Sequence, residues 1–267
     1  MNQIWLNAVR ASARAALDPD AATLIAAMTT APDAARQTLI SDHIIALKAA
    51  GIWSQLDTYY MMAAHHEQAS RLNWKSPGDF ALEANGGITF TVDRGWQGDG
   101  STGYLDTGWI PSSHGVNYQL NDASFGVYSR TDLDGQAVDM GVRRSDISAF
   151  SVFRLKLLNN QVSRINHGNT NFSTSVANSL GFGAIRRTTS SDVSNLRNGN
   201  VIGSGTVSSS AVPEFSFYIA ALNFAGTVEN FSARQYAAAF TAAAGNWHAA
   251  LYDAMQNGYL AAVGAAV

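Results

Sequence analysis

Residues 124–129, Ser-Phe-Gly-Val-Tyr-Ser, alternate polar and apolar side chains with a period of two, the pattern of a strand with one buried face. Ile88-Thr89-Phe90-Thr91-Val92 repeats it, and residues 149–158, 161–165 and 215–222 supply further strand candidates. Between Ser194-Asn195-Leu196-Arg197 and Val201-Ile202 lies Asn198-Gly199. Both central positions of a tight two-residue turn need positive φ, so this dipeptide is the strongest short-range signal for a hairpin. Short strands separated by Gly, Asn and Ser clusters predict a mainly β fold, an antiparallel β-sandwich or jelly roll, rather than a parallel α/β sheet.

Outward from this centre the rhythm changes twice. Upstream of Lys75-Ser76-Pro77-Gly78 alanine is abundant, glycine is nearly absent, and apolar residues recur at helical spacing. Asp18-Pro19 and then Thr30, Pro32 and Asp33 carry N-cap and first-turn signals. Leu39, Ile40, Ile44 and Leu47 share a face before Gly51 ends that helix, and a third amphipathic helix is expected over 54–72, with Leu56, Tyr59, Tyr60 and Ala63 as its apolar side. Downstream, Trp247, Leu251, Met255 and Tyr259 are spaced by four in an Ala-rich stretch, which predicts a C-terminal helix over 234–263 that packs on the sandwich together with Phe231 and Tyr236. The expected organisation is a helical segment over 1–75 and a sandwich with its terminal helix over 76–267. The first segment has more apolar stripe than a small sandwich buries, so Leu39, Ile40, Ile44, Leu47, Tyr59 and Tyr60 are expected to form a docking or oligomerisation surface.

Composition narrows the function. Charged residues are 14% of the chain, against roughly 25% in typical domains, and 17 basic and 20 acidic residues leave a formal net charge of −3. A chain so balanced has no broad positive field for nucleic acid or anionic lipid. Cysteine is absent, which removes disulfides and thiolate chemistry. Met1–Ala16 carries Arg10 and Arg14 and lacks the continuous apolar core of a secretory signal, and no run is long enough to span a bilayer, so synthesis in a cytoplasm without membrane insertion is expected.

Candidate chemistry is sparse. Sugar recognition needs rings that stack on a pyranose face beside a few polar groups, and Trp96, Tyr104, Trp109 and Tyr118 fall near predicted loops, although each also reads as core or subunit contact. Asp132, Asp134 and Asp139 offer hard oxygen ligands for a calcium ion; the alternative is that residues 131–135 are a solvated turn. No other cofactor is expected. Glu67, Glu83, Glu214 and Glu229 do not pair with a second acid on an alternating strand, as sugar hydrolysis would require, and no Gly-x-Ser-x-Gly motif is present, so the chain is not expected to be an enzyme. His65-His66 and His43 read as surface and packed histidines rather than metal ligands.

Several blocks carry a family likeness: FTVDRGWQGDGSTGYLDTGW from Phe90, ASFGVYSRTD from Ala123, GFGAIRRTTSSDVSNLRNGNVIGSGT from Gly181 and FYIAALNFAGTVENFSARQYAAAF from Phe217. With ISDHIIALKAAGIWSQLDTYYMMAAHHEQASRLNW from Ile40, the sequence resembles, over roughly residues 34–263, phage structural and tail-associated proteins with a concanavalin A-like, laminin-G-like sandwich. That resemblance implies a subunit of a bacteriophage virion, in the tail, a fibre or spike, or the capsid. Its work would be assembly and surface display, with copies of itself and other virion proteins as partners; residues 1–33 lie outside the resemblance and are read as an added attachment element. The alternative is an adhesin that binds a host surface polysaccharide; a polysaccharide depolymerase is a third class, disfavoured by the missing acid pair.

Overall fold

The computed structural model describes residues 16–146, 148–168 and 170–267; the reading of residues 1–15, Arg10 and Arg14 included, lies outside them. The chain runs α1 (Pro19–Ala26), α2 (Ala34–Ala49), β1 (Leu56–Met61), α3 (Glu67–Arg71), β2 (Glu83–Asn85), β3 (Thr89–Thr91), β4 (Gly95–Gln97), β5 (Tyr104–Asp106) and α4 (Pro111–His114). It continues through β6 (Ala123–Ser129), β7 (Met140–Arg143), β8 (Phe150–Leu157), β9 (Asn160–His167), β10 (Phe172–Ser175), β11 (Gly181–Arg187), β12 (Asp192–Arg197) and β13 (Asn200–Thr206). After β14 (Tyr218–Ile219), β15 (Leu222–Phe224), β16 (Thr227–Glu229) and β17 (Gln235–Ala242) come α5 (His248–Asp253), a π-helical segment Ala254–Tyr259 and α6 (Leu260–Ala262).

The strands form two sheets. One has the order β13-β12-β11-β6-β17-β4-β3, with β1 also on β17; the other has the order β10-β9-β8-β7-β14-β5-β2. Pairing is antiparallel except for β15, which runs parallel to β7 and carries β16 at its far edge. Between the sheets lie Trp96, Trp109, Phe125, Val127, Phe153 and Phe217. A second core fills the space between the first sheet and the helices, where Leu24, Ile40, Ile44, Leu47, Leu251 and Met255 pack on Tyr59, Phe182 and Phe240. The architecture is therefore a two-sheet antiparallel β-sandwich with helical ends, and the helices form a third layer on one sheet.

Local chemistry explains where the elements begin and turn. Asp18 accepts the Asp20 N–H at 2.9 Å with Pro19 in the first helical turn, and Asp33 accepts the Arg36 N–H at 2.8 Å. Asn198 and Gly199 take φ of 46° and 78°, as a tight hairpin turn between β12 and β13 demands. The β8–β9 hairpin adopts the same backbone with Leu158 and Asn159, at φ of 51° and 60°. That turn has no glycine to announce it.

Two expectations are corrected. The stretch expected as a helix over 54–72 is mostly not helical: Leu56–Met61 is β1, paired with β17 in the register Tyr59↔Phe240. Likewise, the terminal helix expected from Arg234 starts only at His248, because Gln235–Ala242 is β17, between β6 and β4 with β1. The reason is burial on both faces. In β17, Ala238, Phe240 and Ala242 face the helical layer while Tyr236 and Ala239 face the other sheet. Such a strand has no polar face to alternate with, so its sequence reads as an apolar, Ala-rich run. Tertiary position overrides alanine's helical preference, and its small side chain lets helices approach the sheet.

The docking expectation fails for a related reason. Ile40, Ile44, Leu47 and Tyr59 are buried in the helix–sheet core, Leu39 packs against it, and Tyr60 lies between the sheets. Their apolar area is covered by this chain itself. Ala21 and Leu24 of α1 join the same core, which ties the described part of the supposed attachment element to the domain.

Candidate functional site

The aromatic candidates separate. Trp96 is buried and donates its indole N–H to Ser70 Oγ at 2.8 Å. Trp109 and Tyr118 are buried edge to face with ring centres 5.8 Å apart, and the Tyr118 hydroxyl lies 2.8 Å from Ser151 Oγ and donates to Asn166 Oδ1. None of the three can stack on a sugar. Tyr104 alone reaches the surface: Leu105 and Ile219 point into the core, so Tyr104 and Tyr218 point away from it, with ring centres 4.6 Å apart.

The calcium candidates do not converge. Asp139 is wholly buried and accepts from Arg234 Nη1 at 2.9 Å, the Tyr236 hydroxyl at 2.5 Å and the Leu155 N–H at 2.6 Å. Asp132 accepts from the Ser179 N–H, and Asp134 caps the β8–β9 turn by accepting from the N–H groups of Leu158 and Asn159. Among the described residues no group of three or more His, Cys, Asp or Glu side chains is placed to hold a metal.

The remaining candidates have structural partners. His65 and His66 precede α3 rather than share a helix, and His66 caps it through Nδ1. His43 is buried with Nε2 2.7 Å from the Tyr59 hydroxyl, and burial pushes it down to about 4. Glu67 pairs with Arg71, and Glu214 with Arg144. The sheet register places Glu83 directly opposite Asp106, a pairing of two acids that the sequence reading missed because the residues are far apart in the chain.

The arrangement the structure does bring together lies on the outer face of the β7–β8–β9 hairpins. Met140, Val142, Phe153, Leu155 and Ile165 point into the core, so alternation turns Arg143, Phe150, Val152, Arg154 and Arg164 outward. The register Arg143↔Phe150, Val152↔Arg164 and Arg154↔Val162 sets three guanidinium groups on one patch. The Arg143 and Arg164 guanidinium carbons lie 4.8 and 4.6 Å from the centre of the Phe150 ring, and that of Arg143 also lies 3.7 Å from Phe224. These are cation–π contacts, and the stacked guanidiniums cover Phe150, leaving it 1% exposed.

Among the described residues no carboxylate forms an ion pair with Arg143, Arg154 or Arg164, although Asp139 acts on Arg154 from a distance, whereas Arg36, Arg71, Arg144 and Arg234 each have an acidic partner. Arg154 Nε donates to Gln136 O and Arg164 Nε to Asn171 Oδ1, but Arg143 Nε is buried without a partner. The terminal nitrogens of all three have no acceptor among the described residues. Burial and then repulsion from Arg154 and Arg143 hold Arg164 down at about 10, and burial also lowers Arg154. The patch thus presents planar, preorganised donors beside aromatic rings, with its like charges unrelieved.

Open cavities lie elsewhere among the described residues. One of about 310 Å³ sits between α2 and the π-helical segment, lined by Leu39, Asp42, His43, Asp253, Asn257 and Tyr259. Another of about 320 Å³ sits among the connecting loops, beside Leu133, Gln136, Phe231 and Arg234.

No family model matches the sequence, and no curated protein matches it. Solved structures do match in shape. The binding domain of Paraclostridial Mosquitocidal Protein 1 superposes with a TM-score of 0.54 at 12% identity, over 77% of this chain and 53% of that one. Botulinum neurotoxin type C, whose cell entry depends upon interaction with two ganglioside molecules, gives 0.53 at 10% identity, over 78% and 53%. A mutant Trypanosoma rangeli sialidase with trans-sialidase activity gives 0.52 at 10% identity, over 85% and 40%. This chain spans about half or less of each. At these identities the likeness is one of fold, and the fold is a concanavalin A-like, lectin-like β-sandwich.

Proposed function

We propose that this chain is a carbohydrate-binding adhesin, with the arginine-bearing face of β7, β8 and β9 as its binding surface. One observation carries the reading: guanidinium groups backed by Phe150 and Phe224 hold several donors without protein acceptors on a sheet face that the helices leave uncovered. Sugars are bound by such mixtures of planar donors and rings on preformed surfaces. The ganglioside dependence of botulinum neurotoxin type C, a protein of the same fold, supports a glycan as the ligand class. Fold alone does not establish activity; the patch is what distinguishes this sandwich as a binder.

The proposal is one of binding without turnover, since Glu67 and Glu214 are engaged with arginines and Glu83 and Asp106 lie on a different part of the sheet. The virion enters only as a location, on the strength of the sequence resemblance, and mass spectrometry of purified particles tests it. Scaffolding through the apolar stripe of residues 39–60 is not favoured, because those described side chains are taken up within this chain. A glycan array probed with the full chain and with an Arg143→Ala/Arg164→Ala variant tests the function. Retention by defined glycans, lost in the folded variant, is expected; no retention on any glycan, or equal retention by the variant, overturns the reading.

A further inference from the structure

Resting on that reading, we infer that the glycan is acidic, and that a carboxylate of the sugar is seated by the guanidinium groups of Arg143 and Arg164, both of which lie against the Phe150 ring. Three features select an anion over a neutral sugar. First, Arg143, Arg154 and Arg164 stand on adjacent strands, yet among the described residues none of them has an ion-pair partner, and the one carboxylate that acts on the group, Asp139 on Arg154, is itself engaged by Arg234. A neutral hydroxyl would accept a hydrogen bond from this patch and leave its like-charge repulsion in place; a carboxylate removes both deficits. Second, the ring contacts hold the Arg143 and Arg164 guanidiniums in place before any ligand arrives. A planar fork held in this way matches the two oxygens of a carboxylate, which a mobile lysine would meet only as a point charge.

Third, the unpaired atoms are where such a ligand needs them. Arg164 Nε is held by Asn171 and Arg154 Nε by Gln136, so these side chains are anchored from behind while their terminal nitrogens remain available. The Arg143 side chain makes no hydrogen bond among the described residues; its Nε is out of solvent, so its terminal nitrogens are the donors a ligand would meet. The net charge of −3 does not oppose this, because the excess of acid is distributed elsewhere: Asp18, Asp20, Asp93 and Glu67 belong to ion pairs of the helical layer.

The test measures the full chain against an array of carboxylate-bearing glycans, both sialylated and uronate-containing, each printed beside a copy whose carboxyl groups have been reduced to alcohols. Sulfated dextran and plain dextran serve as further probes. The expected result is at least tenfold weaker retention on the reduced copies, weakening with rising salt, and which of the two acidic families is retained identifies the source of the carboxylate. Arg143→Ala and Arg164→Ala each lose at least tenfold, Arg143→Lys and Arg164→Lys recover only part of it, and Arg71→Ala in the helical layer changes nothing. Should the alanine variants fail to fold, the lysine pair, which keeps the charge and the aliphatic stem, carries the comparison. Equal retention on native and reduced copies overturns the acidic ligand while leaving glycan binding intact, retention on sulfated dextran alone overturns the carboxylate, and retention on no glycan overturns the adhesin reading itself.

Discussion

Replacing Asp139 by alanine tests whether this carboxylate is structural. Its partner Arg234 is 1% exposed, and the salt bridge spans 2.9 Å with the carboxylate fully out of solvent. Removing one member of such a pair strands the other charge in the interior, which typically costs about 3–5 kcal/mol. Arg234 keeps the carbonyls of Leu133 and Lys156 and the Ser179 hydroxyl as acceptors, while the Leu155 N–H and the Tyr236 hydroxyl each lose one. The expected loss is therefore toward the lower end, about 3 kcal/mol. For a chain of this size that corresponds to a fall in Tm of roughly 6–12 °C, read by circular dichroism or calorimetry. Pairing Asp139→Leu with Arg234→Met should recover a large part of the loss, since the interior then holds no charge. A fall below roughly 2 °C, or a Tm of the parent protein that rises on adding calcium, would refute the reasoning and return Asp139 to the role of a metal ligand.

Three other outcomes follow from the layered architecture. Residues 76–267 expressed alone lack α1, α2 and β1, which leaves the edge of β17 unpaired and strips Leu24, Ile40, Ile44, Leu47 and Tyr59 from the helix–sheet core; the fragment is expected to be insoluble, and a soluble fragment with cooperative melting would show that these elements are dispensable. Ala238→Leu pushes a larger side chain from β17 into the helix–sheet core and should cost about 1–3 kcal/mol by urea denaturation, whereas a neutral result means that the layer is loosely packed. Burial sets His43 at about 4 and His248 at about 3, both below the ordinary 6.5, so their stability contribution is complete above pH 6.5 and declines as pH falls toward those values. In that window the unfolded chain binds protons that the folded chain refuses, at about 1.4 kcal/mol per pH unit for each histidine, or about 4 kcal/mol for the pair at pH 5. A urea midpoint unchanged between pH 7 and pH 5 contradicts this, and His43→Gln should flatten the slope.

The legible parts of the fold are those whose own side chains alternate, as in β6 even though all its residues are buried, or whose turn is written in glycine. Residues 123–129, 150–157 and 198–199 are strands and a turn as their patterns indicate. β1 and β17 were illegible because partners cover both of their faces, and the local pattern carries no trace of a layer supplied from elsewhere in the chain. The stripe Leu251, Met255 and Tyr259 was read correctly, because one side of that helix is wet. Trp96, Trp109 and Tyr118 drew notice as large rings near glycines, and the same size is what makes them core residues. Arg143, Arg154 and Arg164 drew none. Each is an ordinary outward residue of its own strand, and only the hairpin registers gather them, while a whole-chain charge of −3 conceals a local surplus.

The strand that both cores share is also among the last made. Thr241 of β17 meets Thr58 of β1 across 183 positions of sequence, and β6 lies on its other side. During translation, therefore, β1 and β6 cannot be joined into one sheet until Ala242 has left the ribosome. Until then the helices and the early hairpins wait with their greasy sides unsheltered. Long-range closure of this kind folds slowly and exposes waiting intermediates to aggregation, so yield in the cell should depend on chaperone supply and growth temperature more than on the stability of the finished protein.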